Sequence, residues 1–189
     1  MATVKSFFAF LFDTLKVVVL ALVVVIPIRY FLFQPFFVIG QSMEPNFDNG
    51  DYLLVDELSY RVGTPHRGDV IVFNYPKDTS QRFIKRIVGL PGETVSITNG
   101  KIMISKGDTT FGLNESAYLS PFLETIGDVN VTLGPEEFFV LGDNRPYSYD
   151  SRKWGTVPRK NIIGKVFLKA WPLGAFAKID APLYQESNQ

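Results

Sequence analysis

A chain of 189 residues holds one sizeable core and short accessories, not two large domains. Its 19 basic side chains are balanced by 19 acidic ones, which excludes the basic stripe that grips nucleic acid. The absence of cysteine and the presence of a single histidine, His66, exclude disulfides, thiolate nucleophiles, cysteine-ligated zinc and a histidine-rich metal cluster; no metal and no cofactor are expected.

The chain opens with an apolar run, FFAFLFDTLKVVVLALVVVIPI at 7–28, close to the ~20 residues that cross a ~30 Å hydrocarbon core. Asp13 and Lys16 interrupt it three positions apart, where a helix lets them pair or lets Lys16 snorkel towards head groups. The next residues, RYFLFQPFFVIG, are bulky and carry no small-residue cleavage pattern, so the run reads as an uncleaved anchor in a lipid bilayer. Lys5 and Lys16 towards one end, against Arg29 at the other, favour the N-terminus inside. The phenylalanines of 31–37 suit both an interfacial belt and a first strand.

Beyond the anchor the apolar period becomes short. Alternations over 36–58 are broken by Asn49-Gly50, and DVIVFN at 69–74 is bounded by Arg67-Gly68 and Pro76. A strand over 83–88 ends at Pro91-Gly92, and strands over 94–98 and 101–105 flank Asn99-Gly100, the dipeptide of two-residue hairpins. Runs at 137–141 and 162–170 complete the set, and no long amphipathic helix is patterned among them. The expected fold is an all-β domain of antiparallel sheets over 35–180, behind an N-terminal segment, 1–34, with one transmembrane helix. The stretch 106–136 reads as an irregular insertion with no assigned chemistry. Its Asn114-Glu115-Ser116 and Asn130-Val131-Thr132 match the glycosylation acceptor pattern, which matters only in a eukaryotic secretory context. The tail, 181–189, is polar.

Three polar stretches stand out. In FVIGQSMEP (37–45), Ser42 between a glycine and a proline is either a turn residue or a nucleophile. A serine hydroxyl attacks only when a base removes its proton, and His66, in the loop TPHRGD, has the setting of a solvated histidine. In RFIKRIVGLPGE, period two puts Lys85 on one strand face with Phe83 and Ile87, and Ile84, Arg86 and Val88 on the other. Burial beside such neighbours depresses a lysine pKa, giving the neutral amine that a general base requires; a lysine snorkelling over an apolar strand is the alternative. The third stretch, GDNRPYSYDSRKWG (142–155), combines Asp143 and Asp150 with Arg145, Arg152 and Lys153 and with the hydroxyls of Ser148 and Ser151, a composition that orders through internal pairing.

Together, SMEP at 42–45, RGDVIVF at 67–73, KRIVGLPGE at 85–93 and the 142–155 loop resemble the type I signal peptidases, membrane-anchored serine/lysine proteases that remove signal peptides from exported preproteins. The resemblance implies a signal-peptidase/repressor-protease-like β-fold in which Ser42 forms an acyl-enzyme and Lys85 is its general base. It implies that Ser148 hydrogen-bonds the lysine amine, and that Asp143, Arg86, Asp150 and Arg152 hold loop and strand together. Phe36, Val38, Phe83 and Ile84 would line pockets for small residues at the first and third positions before the cut. It places the catalytic domain on the extracytoplasmic face of a bacterial plasma membrane or its equivalent, with preprotein signal peptides and lipid as partners. Some relatives carry a serine two residues before the nucleophile as an oxyanion donor; here that position is Gly40, leaving the Ser42 backbone amide and the Gly40 region for that task. Two other readings accompany this one. A self-cleaving repressor-type protease would put a DNA-binding helix-turn-helix where this chain has its apolar run. A non-catalytic, membrane-tethered peptide-binding β-domain would make the coincidence of Ser42 and Lys85 an accident.

Overall fold

The structure, a computed structural model, describes residues 2–31, 33–120, 122–182 and 184, and their side chains except those of 2–6, 9, 26–31 and 33. In chain order, helix α1 (Ala2–Phe31) leads into β1 (Phe33–Phe37), β2 (Tyr52–Asp56), the single turn α2 (Ser59–Val62), β3 (Val70–Tyr75), β4 (Asp78–Gly89), β5 (Thr94–Thr98), β6 (Lys101–Lys106) and β7 (Thr109–Gly112). β8 (Val129–Thr132), β9 (Glu137–Leu141), the single turn α3 (Ser151–Trp154), β10 (Val157–Pro158), β11 (Ile162–Trp171) and β12 (Ala177–Lys178) complete it.

The apolar N-terminal run is helical, and its side chains over 10–25 are all exposed, so that stretch has no buried face among the described residues. Asp13 and Lys16 do pair across it, at 3.3 Å. Among the described residues, however, no helix is long and apolar enough to cross a membrane. The span expected over 7–28 is not displayed among the described residues, and the side chains of Ala9, Ile26, Pro27 and Ile28 lie outside them.

All strand pairs are antiparallel. One sheet has eight strands in the order β1-β2-β11-β3-β4-β9-β10, with β12 also on β11; the other has four, in the order β7-β6-β5-β8. β3 shows why the domain holds together. Val70 and Val72 turn to a core formed with Val38, Met43, Phe47, Leu53, Val55 and Val166, while Ile71, Phe73 and Tyr75 turn to a second core with Ile87, Phe138, Val140 and Trp154. A strand apolar on both faces carries a continuous apolar run, as VIVF does. β9 repeats the device, sending Phe138 and Val140 to the second core and Phe139 and Leu141 to a third, shared with Val95, Ile97, Ile102 and Ile104 of the small sheet. Asn99 and Gly100 have φ of +51° and +76°, both in the region the tight hairpin between β5 and β6 requires.

The 106–136 stretch is more ordered than its composition suggests. It contributes β7 and β8, the two outer strands of the small sheet. Both are four residues long and half-exposed, too short for an alternation to stand out in sequence. At the other end of the chain, Pro182 and Tyr184 pack against Gly68, and Tyr184 Oη donates to Tyr118 Oη at 3.0 Å, so this part of the tail is seated on the domain.

Candidate active site

Ser42 sits in the turn that follows β1. The chain leaves the strand through a bond from Val38 N–H to Asp51 O (2.9 Å), and Gly40 N–H is held by Asn49 Oδ1 (2.9 Å). Gly40 has φ of +96°, a backbone shape that favours glycine, while the space around its missing side chain is open. Met43 and Phe47, both 1% exposed, drop into the first core and pin the turn from the far side. From the 142–155 loop, Asn144 N–H donates to Ser42 O at 3.1 Å and Asn144 Nδ2 to Gln41 O at 2.9 Å. Ser42 N–H makes no bond to the protein among the described residues.

Lys85 reaches the serine from β4. Its Nζ lies 2.7 Å from Ser42 Oγ and donates to Ile84 O at 2.8 Å. The side chain is 4% exposed, and burial pulls its pKa from 10.5 down to about 8, against the opposing pull of Asp150 and Asp143. The period-two reading of β4 describes its surroundings: Phe83 and Ile87 pack in the second core and Ile84 in the first, with the amine 5.6 Å from the centre of the Phe83 ring. His66 is elsewhere. Its side chain is 76% exposed beside Asp69 and lines no part of the groove at Ser42.

Behind the lysine lies a buried ionic frame. Arg86, next along β4 and turned away from Lys85, forms a two-pronged pair with Asp143 (2.8 and 2.6 Å), bonds Gly68 O at 3.0 Å, and lies over the Tyr118 ring at 4.0 Å. Asp150 caps α3, accepts from Gly142 N–H at 3.1 Å, and pairs twice with Arg152 at 2.8 Å. Arg152 in turn bonds Arg145 O and Ile126 O. Three contributors carry no mark in the sequence. Asn46 Nδ2 bonds Asp143 Oδ2 at 2.8 Å; Glu115 pairs twice with the fully buried Arg145, once at 2.7 Å; and Thr125 accepts from the same guanidinium. Asn144 stands in the 142–155 motif, where its neighbours could have pointed to it, whereas Glu115 lies inside a glycosylation acceptor pattern that says nothing of a pairing with Arg145.

Ser148 departs from what the resemblance implies. Its Oγ is buried and has no hydrogen-bond partner among the described residues, so it does not bond the lysine amine. The reason is local. Ser148 packs against Gly142, where a Cβ would lie 2.2 Å from Ser148 Oγ and 2.4 Å from Ser42 O, while the amine is engaged by Ile84 O and Ser42 Oγ.

A groove of about 430 Å³ opens at the pair. Phe36, Val38, Phe83 and Ile84 all line it, together with Leu53, Val72, Tyr147 and Tyr149. The groove thus brings a serine hydroxyl and a buried lysine amine to the edge of an apolar wall, and among the described residues there is no cluster of metal ligands.

Comparison with known proteins identifies the family. A family model described as signal peptidase, peptidase S26, matches residues 11–171. "Signal peptidase I" of Leptolyngbya laminosa is 36% identical over 184 residues, covering 91% of this chain and 85% of its own. Two Synechocystis proteins, "Probable signal peptidase I-2" and "Probable signal peptidase I-1", are 37% and 35% identical, covering 84% and 94% of this chain and 72% and 94% of their own. On the strength of a match that runs through β1, β4 and the 142–155 loop alike, the chain belongs to the signal peptidase family, peptidase S26, and is a peptidase.

Proposed function

We propose that the chain is a membrane-bound signal peptidase I that cuts preproteins after small residues, with Ser42 as nucleophile and Lys85 as general base. The observation that carries the reading is the 2.7 Å contact between Ser42 Oγ and a lysine amine whose pKa burial has lowered to about 8. Once that amine is neutral the contact reverses: the serine O–H donates to the nitrogen lone pair, and the oxygen is free to attack the scissile carbonyl. The lysine then returns the proton to the leaving amine, and later takes one from the water that releases the acyl group. Ser42 N–H, free of protein bonds among the described residues, is a donor for the oxyanion. Phe36, Val38, Phe83 and Ile84 form the apolar wall for the small residues before the cut. Arg86, Asp143, Asp150 and Arg152 hold β4 and the loop so that the two catalytic atoms meet.

The helix α1 is the membrane anchor in this reading, with the catalytic domain on the extracytoplasmic face. A helix apolar on every side, with no protein against its described faces, belongs in lipid. Substrate signal peptides share that lipid, so confinement raises the effective concentration of enzyme and substrate.

The test is incubation of detergent-solubilised protein with a preprotein carrying an A-x-A site, beside Ser42→Ala, followed by N-terminal sequencing of the product. The wild type releases a mature chain beginning after the second alanine, and the variant releases none. Cleavage by Ser42→Ala at the same bond would end the proposal.

A further inference from the structure

The groove contains one permanently charged side chain, Arg82, at the exposed end of the apolar wall. Every other arginine with a described side chain, Arg61, Arg67, Arg86, Arg145, Arg152 and Arg159, has an acidic partner within 4.0 Å. The Arg82 side chain has no acidic partner and donates no hydrogen bond among the described residues; its guanidinium lies over the Phe36 ring, 5.4 Å from the centre. An unpaired guanidinium steadied over an aromatic face, with its planar donors open, is shaped to take a carboxylate. The remaining lining is apolar, aromatic or uncharged apart from Lys85, whose buried amine is engaged by Ser42 Oγ and Ile84 O. A charge on the substrate therefore meets Arg82 and nothing of its own kind.

We propose that Arg82 is a specificity-determining residue that favours an acidic side chain in the substrate a few residues before the cut. This rests on the reading of Phe36, Val38, Phe83 and Ile84 as the wall that holds the residues preceding the scissile bond. Arg82 precedes Lys85 by three strand positions, about 10 Å at a rise of ~3.3 Å per residue. An extended peptide advances at the same rate, so the guanidinium, on its long stem, lies beside roughly the third to fifth residue before the cut. Preproteins with aspartate or glutamate there are selected over those with lysine.

The experiment uses the full chain in neutral detergent and a set of peptides in which Glu, Gln or Lys is walked through the second to sixth positions before an A-x-A cut. The ratio of kcat/KM for Glu over Lys is read within each variant, so a general loss of activity cancels. Wild type shows a maximum preference for Glu of about two- to fivefold at one or two adjacent positions, the range of a solvent-accessible charge pair, and the preference shrinks at 0.5 M salt. Arg82→Gln brings the ratio close to one, and Arg82→Glu inverts it. Equal ratios in wild type and Arg82→Glu at every position overturn the inference, while cleavage of the uncharged reference peptide keeps the proposed activity itself standing. A ratio of one in detergent, with Arg82 altering only association with anionic phosphatidylglycerol vesicles, also overturns it, since the arginine then serves a lipid phosphate.

Discussion

The chemistry of Lys85 depends on a balance between burial and its charged neighbours. Desolvation lowers the pKa to about 8 while Asp150 and Asp143 pull the other way, so the amine is half neutral near pH 8. Peptide cleavage should accordingly rise about tenfold per pH unit below 8 and level off above it; a flat kcat/KM profile from pH 6 to 10 would count against lysine as the base. The same residue has a stability signature. Its folded-state pKa lies below the ordinary 10.5, so the native state binds this proton more weakly than the unfolded chain does. The cost is full below pH 8, declines between 8 and 10.5, and vanishes above. Lys85→Met, inactive, should therefore be more resistant to urea than wild type at pH 7, by up to about 3 kcal/mol, with the two curves converging by pH 10.5. Gly40 shows the reverse situation, in which backbone shape matters more than side-chain chemistry. With φ of +96° and open space around it, Gly40→Ala introduces no clash but about 1–2 kcal/mol of backbone strain. Relief of that strain moves Ser42 two positions on, and kcat should fall more than KM rises.

Among the elements, β4 and the 142–155 loop determine whether a site exists. Arg86 and Asp143 are both buried and satisfied chiefly by each other. Asp143→Ala leaves a guanidinium with only Gly68 O and the Tyr118 ring, and should cost about 3–5 kcal/mol in chemical unfolding. Arg86→Met combined with Asp143→Leu should recover most of that loss, which would separate the cost of an orphaned charge from the worth of the pair. The elements are also where sequence and structure can be compared. Strands between glycine and proline punctuation are readable, β5 and β9 to the residue, because turn chemistry and two-residue periodicity are local properties. The face occupied by Lys85 is readable for the same reason. Glu115 is not: its partner Arg145 lies 30 positions away, and no local pattern encodes a contact across that distance. Ser148 shows a different limit, since a residue type at a motif position does not fix where its hydroxyl points.

At the scale of the molecule, a two-sided β-domain follows a helix that presents apolar side chains in all directions. If lipid is what covers that helix, the full chain should sediment with vesicles and resist extraction by high salt or carbonate. Removing residues 2–31 should release it while hydrolysis of a short soluble peptide continues, with the loss confined to bilayer-embedded preproteins. Release of the full chain by salt alone would place it at the surface and not within the bilayer.

The bonds from Asn144 to Gln41 O and Ser42 O also fix when the enzyme can first act. A nascent chain has synthesised Ser42 before Lys85, and Lys85 before the asparagine that clamps the serine turn. Until the 142–155 loop has been made and has closed, the turn that carries Ser42 lacks both of these bonds. The clamp lies 103 positions beyond Gln41, so the serine turn gains its loop-side support only after a long further stretch of chain has been synthesised and folded.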